Sequence, residues 1–527
     1  MDQNKPGSHG VVRGMDLAPR SSLFEGRFGR LFRFLPPAQF ELKGEHGTKR
    51  AEDDLKKLAE KMTDDPEFPA DPDARDAEEN QGITAGYTYL GQFIDHDLTL
   101  DPVSSLDRQN DPDSLVDFRT PRFDLDCVYG RGPEDQPYLY RSDGVRMLLG
   151  RRLTGNEQDK NSRDLPRIAS GAEPRRAVIG DPRNDENVIV SQLHASFLRF
   201  HNRVADVLKA TTFGEVQRAV RWHYQWVVLR DFLPTIIDPS VYNAILPNIA
   251  NRTNILEDPP KLLFYGPPKN FPFMPIEFSA AAYRFGHSMV RPFYRLNRTL
   301  PKPFVIFPID TKAVENGDIV QDGESLKGFR EFPGTFAIDW TLFFPETGKK
   351  PVLAGPKDRV QPAYKIDTSL VNPLGKLPNT DPPVLAQRNL QRGFQMGLPS
   401  GQVLAEAMGE DVIPDENLRI GKATVEDSKT NKPLAEVFPR FKRSAPLWFY
   451  ILAEAQQQFK DDDTPIRLGP VGGRLVVETF VRLLLEDRQS FLRQAPNWTP
   501  FKEFLNKGEF KMSDLLTQAR LAQDTQN

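Results

Sequence analysis

Cysteine is almost missing from this 527-residue chain: it has one, Cys127. No intramolecular disulfide can form, and metal sites built from several cysteines are excluded. Net charge is nearly missing as well, since 69 Lys+Arg stand against 73 Asp+Glu and leave −4. That balance excludes nucleic-acid binding by bulk basicity. No apolar run approaches the about 20 residues needed to span a bilayer. The start, MDQNKPGSHG, lacks the apolar stretch of a secretory signal. The expectation is a soluble protein of a reducing compartment, cytoplasmic or exported without a standard signal peptide.

What is present points to a packed globular body. Hydrophobic residues at 39% suffice for a core, and charged residues at 27% are ordinary. The 46 prolines are scattered, which predicts many irregular connections between helices. Residues 1–80 are rich in Gly, Pro and charge apart from FEGRFGRLFRFLPP at 24–37, and read as an arm packing its Phe residues on a body at 81–527. Basic residues among those Phe residues raise a membrane or nucleic-acid contact as the other reading. From residue 84 helical periodicity dominates. Val190, Leu193, Phe197, Phe200, Val204 and Leu208 recur at spacings of three and four within 187–209. A helix at about 215–233 should end at Pro234, and further helices are expected at 276–290, 384–396, 446–457 and 472–485. The stretch 295–380 should hold loops with short strands at most. The fold class is mainly α, one large body.

Catalysis must then rest on the seven histidines, on carboxylates or on a cofactor. His9 and His46 lie in the arm, and His194, His201 and His223 lie within amphipathic helices, where a structural histidine is the default. His96 and His287 remain. His96 sits in AGYTYLGQFIDHDLTL between Asp95 and Asp97. Burying two carboxylates beside a histidine is costly unless each has a partner, and consecutive helical residues point about 100° apart. The three side chains must therefore face three different things, or form an exposed polar turn. In TPRFDLD, Thr120, Arg122, Asp124 and Asp126 alternate, so that in an extended loop their oxygens can converge on a hard cation such as calcium; an acidic surface loop is the plainer reading. In GDPRNDEN, Arg183 and Glu186 share a face, as an exposed ion pair also would. In AYRFGHSMVRPF, Arg284 lies one turn before His287, and Gly286 leaves room for a bulky flat group.

Eight motifs in order, from GRFGRLFRFLPP through GQFIDHD, TPRFDLDCVYGRGP, GDPRNDEN, LHASFLRFHNRVA, AYRFGHSMVRPF and QRNLQRGFQMGLPSGQ to LGPVGGRLVVETF, resemble the peroxidase–cyclooxygenase superfamily of haem proteins, in particular its animal-type peroxidases. The resemblance implies a haem b peroxidase that reduces hydrogen peroxide and oxidises small anions (iodide, thiocyanate, bromide) or organic donors. It implies His96 as the distal histidine, Gln92 lining the distal cavity, and Arg183 as the distal arginine. Asp95 and Glu186 would be ester-linked to haem methyls. His287 would be the proximal iron ligand, with Asn389 accepting a hydrogen bond from its other nitrogen and Arg284 beside it. Asp97, Thr120, the Arg122 carbonyl, Asp124 and Asp126 would hold calcium. Two positions depart from the family. Asn187 stands where a chloride-oxidising member has a methionine bonded to a haem vinyl, and Asp126 replaces a serine at the calcium position. A fatty-acid dioxygenase of the same superfamily would need a radical-forming tyrosine at position 284. An inactive, calcium-stabilised interaction module would have no need to keep His96, Arg183 and His287 together.

Overall fold

The computed structural model describes residues 26–40, 47–66, 73–99, 116–117, 119–168, 175–267, 272–308, 325–349, 358–378 and 380–522. His9, His46 and the arm residues 1–25, 41–46 and 67–72 lie outside them. Among the described residues the longer helices are α1 (Gly47–Lys61), α2 (Ala85–Leu98), α3 (Val188–Leu208), α4 (Phe213–Val227), α5 (Leu385–Gln395), α6 (Gly401–Met408), α7 (Leu447–Gln456), α8 (Pro470–Glu486) and α9 (Met512–Arg520). Strands are short. The longest, Glu79–Thr84, pairs antiparallel with Pro362–Tyr364, and Gly26–Gly29 sits between Val116–Asp117 and Met274–Pro275. The mainly α expectation holds.

Helix α2 is apolar on nearly every side because it is surrounded, its Tyr89, Leu90, Phe93, Ile94 and Leu98 all being buried. Its first N–H groups are not capped by a side chain. Ala85 N donates to Gln361 O at 2.8 Å and Gly86 N to Phe343 O at 3.0 Å, which satisfies donors that a helix start leaves open. That close approach requires glycine, since a Cβ on Gly86 would lie 2.6 Å from the Phe344 ring. Phe93 stacks on Phe197 of α3 at 4.5 Å, which ties α2 to the longest helix.

Helix α3 starts where Asn187 caps it, its Oδ1 accepting from Ile189 N at 3.0 Å and Val190 N at 2.9 Å. The helix expected to stop at Pro234 does not. After α4 the backbone widens into a π-turn over Val228–Phe232, and helix resumes at Leu233–Ile236 with Pro234 in its first turn, where its missing N–H is no loss. Buried Asp231 holds the π-turn, accepting from Tyr87 Oη at 2.8 Å and from Met512 N at 2.8 Å.

The helix expected over 276–290 is also broken. Ile276–Ser279 is one turn, Ala281 leaves helical geometry at φ −137°, ψ −71°, and a 3-10 turn follows over Ala282–His287. Arg284 Nε donates to Ser279 O at 2.8 Å across the break. Buried Glu277 accepts from Leu31 N and Phe32 N, both at 3.1 Å, and so fastens the arm beside this segment. Phe28 and Phe32 of the arm are buried, whereas Phe34 is 76% exposed and does not pack as expected.

Phe93→Ala should lower unfolding free energy by about 3–5 kcal/mol, the usual cost of emptying a buried aromatic site. Urea melts should show a lower midpoint at unchanged slope, and a midpoint within error of wild type would refute this account of the α2–α3 contact.

Candidate functional site

Asp95, His96 and Asp97 are consecutive on α2, and their side chains go three ways. Asp95 Oδ2 lies 3.5 Å from Arg284 Nη1, on the 3-10 turn that ends at His287, and its Oδ1 accepts from Thr99 Oγ1 at 3.1 Å. Burial alone would raise the Asp95 carboxyl, but Arg284 and Arg183 outweigh it and hold the group below its usual range. His96 Nδ1 meets Asn184 Oδ1 at 2.8 Å. Burial, then the Arg183 cation, push this imidazole from 6.5 down to about 4, so it is neutral near pH 7. Asp97 Oδ2 accepts from Leu125 N at 3.3 Å on the far side.

Arg183 lies on the 3-10 turn Pro182–Asp185, just before α3. Its Nη2 donates to the His96 carbonyl at 3.0 Å and to Asp181 Oδ2 at 2.9 Å. Asp181 is buried and also receives Arg119 Nη2 at 2.6 Å. Burial would raise the Asp181 carboxyl, yet Arg183 and Arg119 overcome this and hold it far below the carboxylate range. Three residues on, Glu186 goes the other way: burial raises it to about 8 despite Arg183, so it stays a neutral acid at pH 7. Gln92 Nε2 donates to Glu186 Oε1, and Asn187 Nδ2 donates to Gln92 Oε1 at 3.2 Å. Gln92, Glu186 and Asn187 thus form one chain of contacts between α2 and the start of α3.

His287 ends its 3-10 turn, and its Nδ1 lies 2.7 Å from Asn389 of α5. The pairing is as expected, but the orientation is not: the amide presents Nδ2, not Oδ1. With Nδ2 donating, the His287 proton sits on Nε2. Ligation of a metal through Nε2 requires the amide turned over, a change that keeps the contact and moves the proton to Nδ1. A Cβ on neighbouring Gly286 would meet nothing within 4 Å, so there is open space at Gly286.

These residues fit a haem. Two imidazoles stand on elements that pack together, α2 and the Ala282–His287 turn, with open space at Gly286 and an arginine–carboxylate pair bridging the two elements. His287 would hold the iron, while Asp95 and Glu186 are the carboxylates within reach of the same charged neighbourhood.

A second centre lies behind α2. Carboxylate oxygens of Asp97, Asp124 and Asp126 fall within 4.8 Å of one another. Thr120 Oγ1 donates to Asp124 Oδ2 at 2.7 Å, and Arg122 N donates to Thr120 O at 2.7 Å, which folds the alternating segment back on itself. The Arg122 side chain leaves the cluster and approaches Asp487. Burial and then the adjacent carboxylates push Asp97 well above its usual range. Burial also raises Asp126 to about 7 although Arg119 is 3.3 Å away. An oxygen-rich cluster of this kind suits a hard cation.

The remaining histidines divide. His201 is satisfied by Tyr129 Oη at 3.0 Å and Val145 O at 2.7 Å, and His223 by Ala219 O at 2.7 Å and Phe501 N at 3.2 Å, so both are structural. His194 is not merely structural, because its Nδ1 accepts from Asn184 Nδ2 at 2.9 Å and so joins the site. Asp181, Asn184 and His194 were not singled out from the sequence; the one signal available was their nearness to Arg183.

The sequence profile of the family described as animal haem peroxidase matches residues 106–327. Thyroid peroxidase of Rattus norvegicus is 26% identical over 391 residues, covering 67% of this chain. The chain is therefore similar to animal haem peroxidases, through the family profile at residues 106–327 and through these relatives. It spans 38% of the length of that thyroid peroxidase and 18% of Drosophila melanogaster peroxidasin, to which it is 25% identical over 59% of its own length. Among solved structures, peroxidase A from Dictyostelium discoideum superposes with a TM-score of 0.52 at 17% identity, over 90% of this chain and 92% of that one. That likeness concerns the fold.

Removing the carboxylate that clamps Arg183 tests the electrostatics. Asp181→Asn leaves two buried guanidinium groups without their shared partner and should cost about 3–5 kcal/mol at pH 7. The folded carboxyl lies below its unfolded value, so its contribution is complete above the unfolded value of about 4 and fades as pH falls. Denaturant midpoints of wild type and variant should therefore converge between pH 7 and pH 3; a gap that is constant or widens would contradict the assignment.

Proposed function

We propose that the chain is a haem peroxidase that reduces hydrogen peroxide to water and oxidises small anions such as iodide, thiocyanate and bromide, or organic one-electron donors. The observation that carries this reading is neutral His96 backed by Asn184, with Arg183 bonded to its carbonyl and with Asp95–Arg284 linking it to His287. Haem, which His287 would hold, would supply the iron and the redox-active ring for peroxide reduction. His96 takes a proton at Nε2 from the nearer peroxide oxygen and returns it to the farther one, acting as base and then acid. Arg183 steadies the negative charge growing on the departing oxygen, and Asp181 keeps that guanidinium in place. Asn389 is a neutral partner for His287, so the imidazole donates less to a metal than it would beside a carboxylate.

The dioxygenase reading lacks its tyrosine. Position 284 is an arginine, committed to Asp95 and to Ser279 O.

Further elements of the proposal are ester links to haem through Asp95 and Glu186 and weak oxidation of chloride. Asn187 uses its oxygen to cap α3 and its amide nitrogen to hold Gln92, and it carries no sulfur to bond a haem vinyl. In domain terms the proposal places the peroxidase body at 81–527 and treats 1–80 as an arm upon it.

The direct test is the haem-loaded protein with peroxide and iodide, thiocyanate or a phenol. His96→Ala should keep haem but slow peroxide consumption by about 10²-fold or more, the scale of a lost general acid–base. An unchanged rate would remove His96 from the mechanism.

We infer one calcium ion at Asp97, Asp124 and Asp126, with Thr120 and the Arg122 carbonyl. Burial and the neighbouring carboxylates push Asp97 well above its usual range, and burial raises Asp126 to about 7, so Asp126 carries much proton near pH 6.5 without a cation. Calcium binding should then release protons. Titration calorimetry at pH 6.5 in two buffers of different ionisation enthalpy should give unequal heats, and equal heats would contradict protonated carboxylates.

A further inference from the structure

Asn184 sits between two imidazoles, and this arrangement has chemical content. Its Oδ1 is 2.8 Å from His96 Nδ1 and its Nδ2 is 2.9 Å from His194 Nδ1, and all three side chains are buried. An amide oxygen only accepts and an amide nitrogen only donates. With Oδ1 on His96, the His96 proton must be on Nδ1 and the Nε2 lone pair is left available. With Nδ2 on His194, that ring must accept at Nδ1 and carry its own proton on Nε2. The amide turned over would reverse both, placing the His96 proton on Nε2, where the ring cannot act as a base.

The scaffold around the amide is rigid. Asn184 N donates to Asp181 O at 3.1 Å within the same turn that positions Arg183, and His194 lies in the buried second turn of α3, behind the Asn187 cap. One short segment therefore aims Arg183 and orients the amide that faces His96. Nothing in the peroxide chemistry needs His194 to touch a substrate; its place is behind Asn184.

We infer that Asn184, bonded through Oδ1 to His96, is a positioning residue that fixes the His96 proton on Nδ1 and frees Nε2 as the distal base. The inference rests on the peroxidase reading above for its consequence, though not for the tautomer itself. An asparagine with only a packing role would affect stability on removal and leave the His96 tautomer and proton uptake as they were.

Two measurements test it. In [15N]histidine-labelled protein, NMR should show the His96 proton on Nδ1. A proton found on Nε2 overturns the inference, whether or not haem is bound. In the haem-loaded protein, hydrogen cyanide must give up its proton to a distal base as it binds, and its association can be followed by stopped flow. Asn184→Leu should slow association by about tenfold or more, within the range a positioned base supplies. Asn184→Asp, which keeps an acceptor for His96 Nδ1–H, should restore the rate to within about threefold of wild type on the same scale. Wild-type association in the leucine variant, or an aspartate variant as slow as leucine, overturns the inference. If Asn184→Leu does not fold, the NMR measurement on the unaltered chain decides. A wild-type protein that takes up no haem refutes the peroxidase reading, and the tautomer result still decides this one.

Discussion

Three ionisable side chains in a row on a buried helix are the constraint on which the rest of this structure depends. Each charge taken from water without a partner costs several kcal/mol, so α2 can carry Asp95, His96 and Asp97 only if three separate surroundings receive them. Arg284 receives Asp95, Asn184 receives His96, and the 120–126 segment receives Asp97. Those three partners come from the His287 turn, from the lead-in to α3, and from the loop at Thr120. The fold brings together parts of the chain more than 160 residues apart because one helix turn demands them.

The same burial sorts the protonation states. His96 and Glu186 are both neutral near pH 7, one because burial lowers a base and the other because burial raises an acid. Asp95 and Asp181 stay ionised because each faces two arginines. A site with an uncharged base next to a fixed cation can move a proton and stabilise negative charge at one place, which is what cleavage of a peroxide bond asks for.

Much of this was legible in the sequence where local chemistry decides the outcome. The three-way divergence at 95–97 follows from helical geometry, and the convergence of Asp124 and Asp126 from alternation. What escaped was set by distant partners. The anchoring of Leu31 and Phe32 depends on Glu277, and the break at Ala281 is spanned by Arg284 on Ser279 O; no periodicity in 276–290 announces either. The helix passes Pro234 because a π-turn held by Asp231 absorbs the proline, and the hydrogen bonds of Asp231 come from Tyr87 and Met512. His194 looked like any buried helical histidine; only the amide between it and His96 shows otherwise. Exposure of Phe34 likewise depends on where the arm turns, not on composition.

The central proposal is that His287, and not His96, would hold the haem iron. Resonance Raman spectroscopy of the ferrous haem-loaded protein reads this directly through the iron–imidazole stretch. The account predicts that stretch in wild type and in His96→Ala, and its loss in His287→Ala. An iron–imidazole stretch that survives in His287→Ala and vanishes in His96→Ala would reverse the two roles and contradict the account.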